Sequence, residues 1–280
     1  MHALTARAAR SLALPAVALA VALAAVAAAA TPLAAQKETD SWSWKGSIAQ
    51  GRTLYLKNMN GAVRVERAQG SEVEIDARKR ATRGTTDHVR IETSRVGRGD
   101  GDVLVCALWG ERSSCDEDSY NSRSDRNMMG QERNQVNVDF TVRVPEGVRL
   151  DLSTVNGELR IEGATDEVRA RTVNGSINAA SLGGPVSART VNGSIRVSMG
   201  NAGGEDLEYQ TVNGSITIEM PDRVDADVAM STVNGSIDSD FPMTVQGRIS
   251  RKSVNATLGA GGRKLTAKTV NGSIKLRSRG

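Results

Sequence analysis

A six-residue motif, Thr-Val-Asn-Gly-Ser-Ile, recurs in near-identical form through the second half of this 280-residue chain. Its seven copies begin at Thr154, Thr172, Thr190, Thr211, Thr232, Ser253 and Thr269. The steps from one motif asparagine to the next are 18, 18, 21, 21, 21 and 16 residues. An internal repeat of this length predicts stacked supersecondary units, each too small to bury its apolar face alone.

Each unit has the pattern of a strand, an Asn-Gly corner and a second strand. Apolar and polar residues alternate before the corner, as at Val186, Ala188 and Thr190, and alternate again after it, as at Ile195 and Val197. A period of two with many β-branched residues is typical of strands. Asn-Gly tolerates a positive φ, so we expect a sharp turn there. A degenerate eighth copy is visible upstream, over residues 58–63.

Two all-β architectures fit this pattern. In a parallel β-solenoid (a β-helix), each unit is one coil and the Asn-Gly corners stack. In an antiparallel meander or sandwich, each Asn-Gly is a two-residue hairpin. A hairpin does not require Thr and Val before the corner in every copy, whereas a solenoid places equivalent residues ~4.8 Å apart in successive coils. The fidelity of the motif therefore favours the solenoid.

Stacked corners would place the motif asparagines in one hydrogen-bonded column of amides, as in other parallel stacks. Thr and Val columns would lie beside it. Ala256 stands where the other copies have Gly, which weakens the prediction for the sixth corner. The predicted amide ladder consists of Asn156, Asn174, Asn192, Asn213, Asn234, Asn255 and Asn271.

The chain divides into three predicted regions. Residues 1–35 have the basic start, the Ala- and Leu-rich run and the small residues of an export signal peptide. Residues 36–150 form an irregular β region with a polar loop at 111–133, and residues 151–280 form the repeat domain. We expect export to the periplasm, the outer surface or the medium, with no membrane insertion after signal cleavage. A retained N-terminal membrane anchor is the alternative, because the apolar run is long enough.

Cysteine content and charge add two constraints. Cys106 and Cys115 are the two cysteines of the chain, and an exported protein with this spacing predicts one disulfide. Removing residues 1–35 takes away two Arg and lowers the formal charge from +4 to +2. The basic residues are spread over the strands, so we expect no nucleic-acid partner. Arg171 and Arg189 occupy matching repeat positions, but Gln210 and Ser231 interrupt that column.

The sequence contains no established motif of catalytic, cofactor-binding or metal-ligating residues. One histidine, His88, remains after signal cleavage, and no Ser/His/Asp arrangement, phosphate loop or zinc spacing is present. Two weak patterns are a calcium loop at residues 116–118 and an Arg-Gly-Asp tripeptide at residues 98–100. We therefore predict a protein that is not an enzyme, with no catalytic residues, no cofactor and no metal.

The Val-Asn-Gly-Ser-Ile repeats, which follow a signal peptide, resemble those of the bacterial putative-adhesin family of exported β-strand-repeat proteins. The segment at residues 135–145, which leads into the first repeat, is similar to that family as well. The resemblance covers residues 150–280 well and residues 41–150 loosely. It implies an exported β-repeat fold and supplies no catalytic residues.

These observations leave three hypotheses for function. The first is a non-enzymatic interaction module, a putative adhesin of the surface or periplasm, whose candidate partners are an envelope glycan or a surface protein. The second is a carbohydrate-active β-helix enzyme that uses clustered carboxylates. The third is a purely structural envelope protein. The carboxylates that the second hypothesis requires are Asp222, Asp225, Asp227, Asp238 and Asp240.

Overall fold

The computed structural model describes residues 39–121, 135–201, 204–246, 250 and 252–279, and the predicted signal peptide lies outside these ranges. The described strands are β1 (Thr39–Gly46), β2 (Thr53–Lys57), β3 (Val63–Arg67), β4 (Val73–Arg83), β5 (Val89–Val96), β6 (Asp102–Trp109), β7 (Ser114–Cys115), β8 (Tyr120–Asn121), β9 (Gln135–Val144), β10 (Arg149–Ser153), β11 (Leu159–Ala164), β12 (Val168–Arg171), β13 (Ile177–Ser181), β14 (Val186–Arg189), β15 (Ile195–Met199), β16 (Leu207–Gln210), β17 (Ile216–Pro221), β18 (Ala226–Asn234), β19 (Ile237–Ser239), β20 (Thr244–Val245), β21 (Ser253–Leu258), β22 (Lys264–Asn271) and β23 (Ile274–Arg279). Two short 3-10 helices span Thr86–His88 and Arg98–Asp100.

Two large sheets enclose one apolar core, and we call them sheet A and sheet B. Sheet A has the strand order β1-β4-β9-β3-β11-β13-β15-β17-β23-β19. Sheet B has the order β20-β21-β18-β22-β16-β14-β12-β10-β2-β6-β5. A small hairpin of β7 and β8 lies outside both sheets.

The repeats form coils, each made of a strand in sheet B, an Asn-Gly corner and a strand in sheet A. Neighbouring coils are parallel and in register, so that Leu159 lies beside Ile177 and Ile177 beside Ile195. The prediction of an all-β parallel solenoid is therefore confirmed, and the antiparallel alternative does not apply to the stacked repeats. The parallel pairing continues across residue 150, because β10 pairs with β2 in the same sheet.

One core column places a large side chain between two small ones. In sheet B, Tyr209 is fully buried and lies between Ala188 and Ala267 of the adjacent strands. The two small neighbours leave room for its ring. The Tyr209 hydroxyl donates to Sδ of Met199 at 3.6 Å, and burial raises the pKa of this phenol.

The corner asparagines form a ladder of amide hydrogen bonds along one edge of the solenoid. Each Nδ2 donates to Oδ1 of the neighbouring corner at 2.7–2.8 Å, and every bond points the same way along the stack. The degenerate upstream copy joins the ladder through Asn60. In order along the stack, the ladder residues are Asn60, Asn156, Asn174, Asn192, Asn213, Asn271 and Asn234.

Asn255 is outside the ladder, so its assignment to the amide column is wrong. Its strand, β21, runs antiparallel to β18 and places Asn255 beside Ala229. The adjacent Ala256 is buried in this antiparallel strand. The Gly-to-Ala change marks the copy that leaves the stack, because an antiparallel strand does not need the glycine of a stacked corner.

Close approach of neighbouring coils is what requires glycine at the stacked corners. A Cβ added at Gly175 would lie 1.9 Å from the carbonyl oxygen of Gly157, and one at Gly193 would lie 2.0 Å from that of Gly175. Neither glycine has the positive φ that the Asn-Gly pattern suggested. The expected reason for glycine, a left-handed turn, is therefore wrong for these corners.

The motif threonine and valine point in opposite directions. The buried Thr190 hydroxyl donates to the carbonyl oxygen of Gly175 in the neighbouring coil at 2.9 Å, and Thr211 bonds Gly193 in the same way. Valine points outward: Val191 remains 39% exposed and Val212 remains 40% exposed. The threonine column therefore ties coils together from inside, while the valine column covers the edge.

Chain order and spatial order differ at both ends of the stack. The first coil, β2 and β3, lies between the later pairs β6/β9 and β10/β11. The last coil, β22 and β23, is inserted between β16/β17 and β18/β19. Antiparallel strands then cover the ends: β5, β4 and β1 at one, and β21 and β20 at the other. Trp42 and Trp44 of β1 pack against the core, as expected for a cap.

The substitution Asn213→Ala tests the energetic value of the ladder. It removes two amide hydrogen bonds, but Asn213 is exposed, so water replaces part of the lost interaction. We expect the free energy of unfolding to fall by about 1 kcal/mol, the low end for two hydrogen bonds. Urea denaturation measures the change, and Asn255→Ala is the matched control because Asn255 lies outside the ladder. Equal effects of the two substitutions would contradict a stabilising ladder.

Candidate functional site

A disulfide fixes the β7–β8 hairpin onto the outer face of sheet B. Cys106 of β6 is bonded to Cys115 of β7, with their Cα atoms 6.5 Å apart. The Tyr120 hydroxyl donates to the carbonyl oxygen of Ala107 at 2.7 Å, and burial raises the pKa of Tyr120 to about 12. A second apolar cluster lies beneath the hairpin and is separate from the main core. Its buried members are Leu104, Cys106 and Leu108.

Buried charges adjoin the hairpin on the same face. Lys57 is 4% exposed, and its Nζ donates to the carbonyl oxygen of Ser119 at 3.4 Å. Asp151, in the next strand, is 7% exposed and accepts two hydrogen bonds at 3.2 Å from the Arg171 guanidinium. Burial raises the pKa of Asp151 and lowers the pKa of Lys57. Perturbed ionisable groups of this kind concentrate at functional sites, and they also occur in structural ion pairs.

A charged groove extends from this pair along the outer face of sheet B. It comprises two adjoining depressions of about 360 and 180 Å³ that share Glu167 and Arg169. Arg169 pairs with Glu167 at 2.7 Å, and Arg189 pairs with Glu208. The side chains that define the groove are Tyr55, Arg149, Asp151, Glu167, Arg169, Arg171, Ser187, Arg189, Glu205, Asp206 and Glu208.

The column containing Arg171 and Arg189 is interrupted, as the sequence indicated, and each arginine has an acidic partner. Gln210 follows Arg189 in register, and Lys268, not Ser231, comes next because the last coil is inserted there. The groove thus alternates positive and negative groups. Its chemistry suits a ligand that offers both hydrogen-bond donors and acceptors better than a purely anionic one.

The five aspartates of the enzyme hypothesis separate into two sets with structural partners. Asp225 accepts a hydrogen bond from the Ala260 amide at 2.8 Å, and Asp227 accepts one from the Gly262 amide at 3.2 Å. Both therefore fix the turn between β21 and β22. The other three lie at the end of β23: Arg277 bonds Asp238 and Asp240 at 2.7 Å each, and Ser278 bonds Asp222. The structure therefore does not bring the five carboxylates to one site, and the three that come together at Arg277 and Ser278 are hydrogen-bonded to those residues.

The remaining candidate residues have local roles or lie on the surface. Asp116 accepts hydrogen bonds from the Asp118 and Ser119 amides at 2.9 and 2.7 Å, which closes the hairpin turn. In the described part of the chain, no group of three or more potential ligands is placed to hold a metal ion. His88 is exposed, and the Arg-Gly-Asp tripeptide forms an exposed 3-10 turn.

The Asp151 carboxyl should give the protein a measurable pH dependence. Its pKa is raised in the folded state, so the folded protein holds this proton to a higher pH than the unfolded chain does. Protonated Asp151 therefore contributes favourably to the free energy of unfolding below the pKa that this carboxyl has in the unfolded chain. The contribution is lost as pH rises through the pKa that it has in the folded protein. As pH is raised from about 3 to about 7, we expect the free energy of unfolding of the parent to fall relative to that of the Asp151→Asn variant. Urea denaturation at both pH values checks this, and a constant difference would contradict it.

A protein-family model matches most of the chain. The model for Toastrack DUF4097 matches residues 46–277. The chain belongs to the Toastrack DUF4097 family. This family membership agrees with the resemblance inferred from the motif and with the stacked parallel strands. No curated protein matches the chain.

Among solved structures, a putative cell adhesion protein from Clostridium sporogenes is 10% identical, with a TM-score of 0.43, over 86% of this chain and 100% of that one. A putative adhesin from Bacteroides fragilis is 11% identical, with a TM-score of 0.37, over 84% of this chain and 96% of that one. No residue role is transferred from either. Within the described ranges of this Toastrack protein, no helix has the length and apolar character needed to cross a bilayer.

Sequence reasoning missed the charged groove. Apart from Arg171 and Arg189, which occupy matching repeat positions, its residues lie at outward positions whose residue type differs between repeats, so no periodic signal marks the whole groove. One clue was available, because Asp151 and Lys57 are charged residues on the outward side of their strands. These strands, β10 and β2, become neighbours only when they pair in the folded protein. That pairing joins segments almost a hundred residues apart, and the motif does not indicate it.

Proposed function

We propose that the protein is an exported, non-enzymatic interaction module of the cell envelope that binds its partner in the charged groove. The observation that carries the proposal is the pair of buried charged groups, Asp151 and Lys57, at the point where the disulfide-linked hairpin meets the groove, with the exposed Arg171 guanidinium bound to Asp151. Removing the Asp151 and Lys57 charges from water is costly, so their burial is weak evidence for a stabilising role. A preorganised recognition surface accounts for their position.

The proposed partner is an envelope glycan or a surface protein, as the sequence suggested. The guanidinium and carboxylate groups of the groove provide donors and acceptors on rigid strands, which suits a polyhydroxylated ligand. Export is supported by the sequence of residues 1–35 and by the disulfide, since disulfides persist in oxidising compartments.

A binding screen of residues 36–280 against envelope glycans, peptidoglycan and surface-protein extracts tests the proposal. The groove variant Arg169→Ala/Arg189→Ala should weaken binding of any hit by about ten-fold or more, the scale of one or two lost charged contacts. The matched control is Arg64→Ala/Arg196→Ala, which removes two arginines from the opposite sheet. Equal losses for both variants would locate binding elsewhere. The absence of any hit would favour the purely structural alternative.

A further inference from the structure

The amide of the corner glycine is held by the next coil throughout the interior of the stack. Each such N–H donates to the carbonyl oxygen of the following corner asparagine at 2.9–3.0 Å. The pairs are Gly61 with Asn156, Gly157 with Asn174, Gly175 with Asn192, Gly193 with Asn213, Gly214 with Asn271 and Gly272 with Asn234. Every Asn-Gly bond before the last coil in the stack is therefore immobilised through its glycine nitrogen.

The last corner of the stack, Asn234-Gly235, has a different environment. Gly235 is exposed, and its amide has no hydrogen-bond partner among the residues that the structure describes. The Asn234 side chain is held by a single ladder bond, from its Nδ2 to Oδ1 of Asn271 at 2.8 Å. Val233 is 54% exposed, against 39% for Val191. Within the described residues, no further coil stacks on the outer side of this corner.

We propose that Asn234 is a site of selective deamidation in the folded protein. The reaction begins when the Gly235 nitrogen, after losing its proton to solvent, attacks Cγ of Asn234. The new N–C bond closes a succinimide ring, and the side-chain nitrogen leaves as ammonia. Water then opens the ring at either carbonyl and leaves aspartate or isoaspartate at position 234. Water is the single co-reactant, and no oxidant or reductant is consumed.

Local hydrogen bonding determines where this reaction proceeds. At Asn213, attack requires that the Gly214 amide leave its bond to Asn271 and that the side chain leave two ladder bonds. At Asn234, attack requires the loss of one ladder bond. The attack at Asn213 therefore requires breaking two more hydrogen bonds than the attack at Asn234. We therefore expect deamidation at Asn234 to be at least about ten-fold faster, which corresponds to about 1.4 kcal/mol.

The product also disrupts the last rung of the ladder. The amide of Asn234 donates to Oδ1 of Asn271, and a carboxylate has no proton to donate. Two acceptor oxygens would then face each other at the end of the stack. Deamidation thus adds one negative charge and removes the outermost ladder bond, while the interior rungs keep their bonds.

The repeat supplies its own controls for the experiment. Five corners share the identical sequence Thr-Val-Asn-Gly-Ser-Ile, so sequence context does not distinguish them. Trypsin places each on a separate peptide, with Asn234 in 224–248, Asn213 in 197–223 and Asn192 in 190–196. Residues 36–280 are incubated folded at mildly alkaline pH and, in parallel, unfolded in guanidinium. Peptide mass spectrometry then follows the added mass at each asparagine.

The expected result is preferential conversion of Asn234 in the folded protein and similar conversion of all five corners in the unfolded protein. Equal rates at Asn234, Asn213 and Asn192 in the folded protein would overturn the proposal. Asn234→Ser provides a second measurement: ion exchange should show that the main acidic variant formed by the folded parent is absent. Persistence of that variant would also overturn the proposal.

Discussion

Removal of residues 264–280 should abolish cooperative folding of the C-terminal half of the solenoid. These residues form the last coil, which lies between β16/β17 and β18/β19. Leu265, Ile274 and Leu276 of this coil are fully buried. Burying each such side chain contributes roughly 1.5–3 kcal/mol, so the loss from these three is about 4.5–9 kcal/mol before the newly exposed neighbours are counted. That is comparable with the whole stability of many proteins.

The matched control for this truncation removes a coil from the middle of the chain. Deleting residues 172–189 removes β14 and joins Arg171 to Thr190. Strands β12 and β16, which both pair with β14 in the parent, can then pair with each other. Core columns and ladder remain continuous. We expect this protein to unfold cooperatively in urea, as monitored by circular dichroism, whereas the terminal truncation should show a broad, weakened transition. A truncated protein as stable as the internal deletion would contradict the inserted position of the last coil.

The substitution Gly193→Ala should destabilise the protein by about 3 kcal/mol, the upper range for overpacking a rigid site. Its Cβ would lie 2.0 Å from the carbonyl oxygen of Gly175 and 2.5 Å from the carbonyl carbon. Both atoms are backbone of the next coil, so relief requires separating two hydrogen-bonded corners. For a chain of this size the melting temperature should fall by roughly 6–12 °C.

Gly70→Ala is the control for the corner glycine. Nothing lies within 4 Å of a Cβ at Gly70, and its φ lies outside the left-handed region. We expect a change within about 0.5 kcal/mol. Thermal unfolding followed by circular dichroism compares the two variants. If Gly193→Ala melted at the parent temperature, close stacking of the corners would be wrong.

The sequence was sufficient to predict the stacking of the repeats but not their order. Identical corners in neighbouring coils form the same hydrogen bonds, so repetition of Asn and Thr predicts a parallel column. For the same reason, repetition cannot tell which coil lies next to which. The Asn271 and Asn234 corners carry the same six residues, and exchanging them leaves every ladder bond equivalent.

The roles of individual motif positions were harder to predict. The motif suggested that glycine serves a left-handed turn, whereas at Gly193 the nearby backbone of the next coil excludes a side chain. Val191 was expected to form a column beside the ladder, and it does so while remaining 39% exposed. Ala256 was the informative exception, because its departure from glycine coincides with the copy that leaves the stack. The groove left only the interrupted Arg171 and Arg189 column as a periodic trace.

The amide ladder has a direction, and its two ends differ in what they can accommodate. Every Nδ2 donates toward the Asn60 end, so Asn60 contributes an acceptor oxygen and Asn234 contributes a donor. An aspartate at the Asn60 end would keep its bond and gain charge assistance. An aspartate at the Asn234 end would lose its bond. A related protein with an aspartate at the acceptor end of such a ladder can therefore keep every amide bond in the same direction. A related protein with an aspartate at the donor end loses the last bond, so its ladder is one coil shorter.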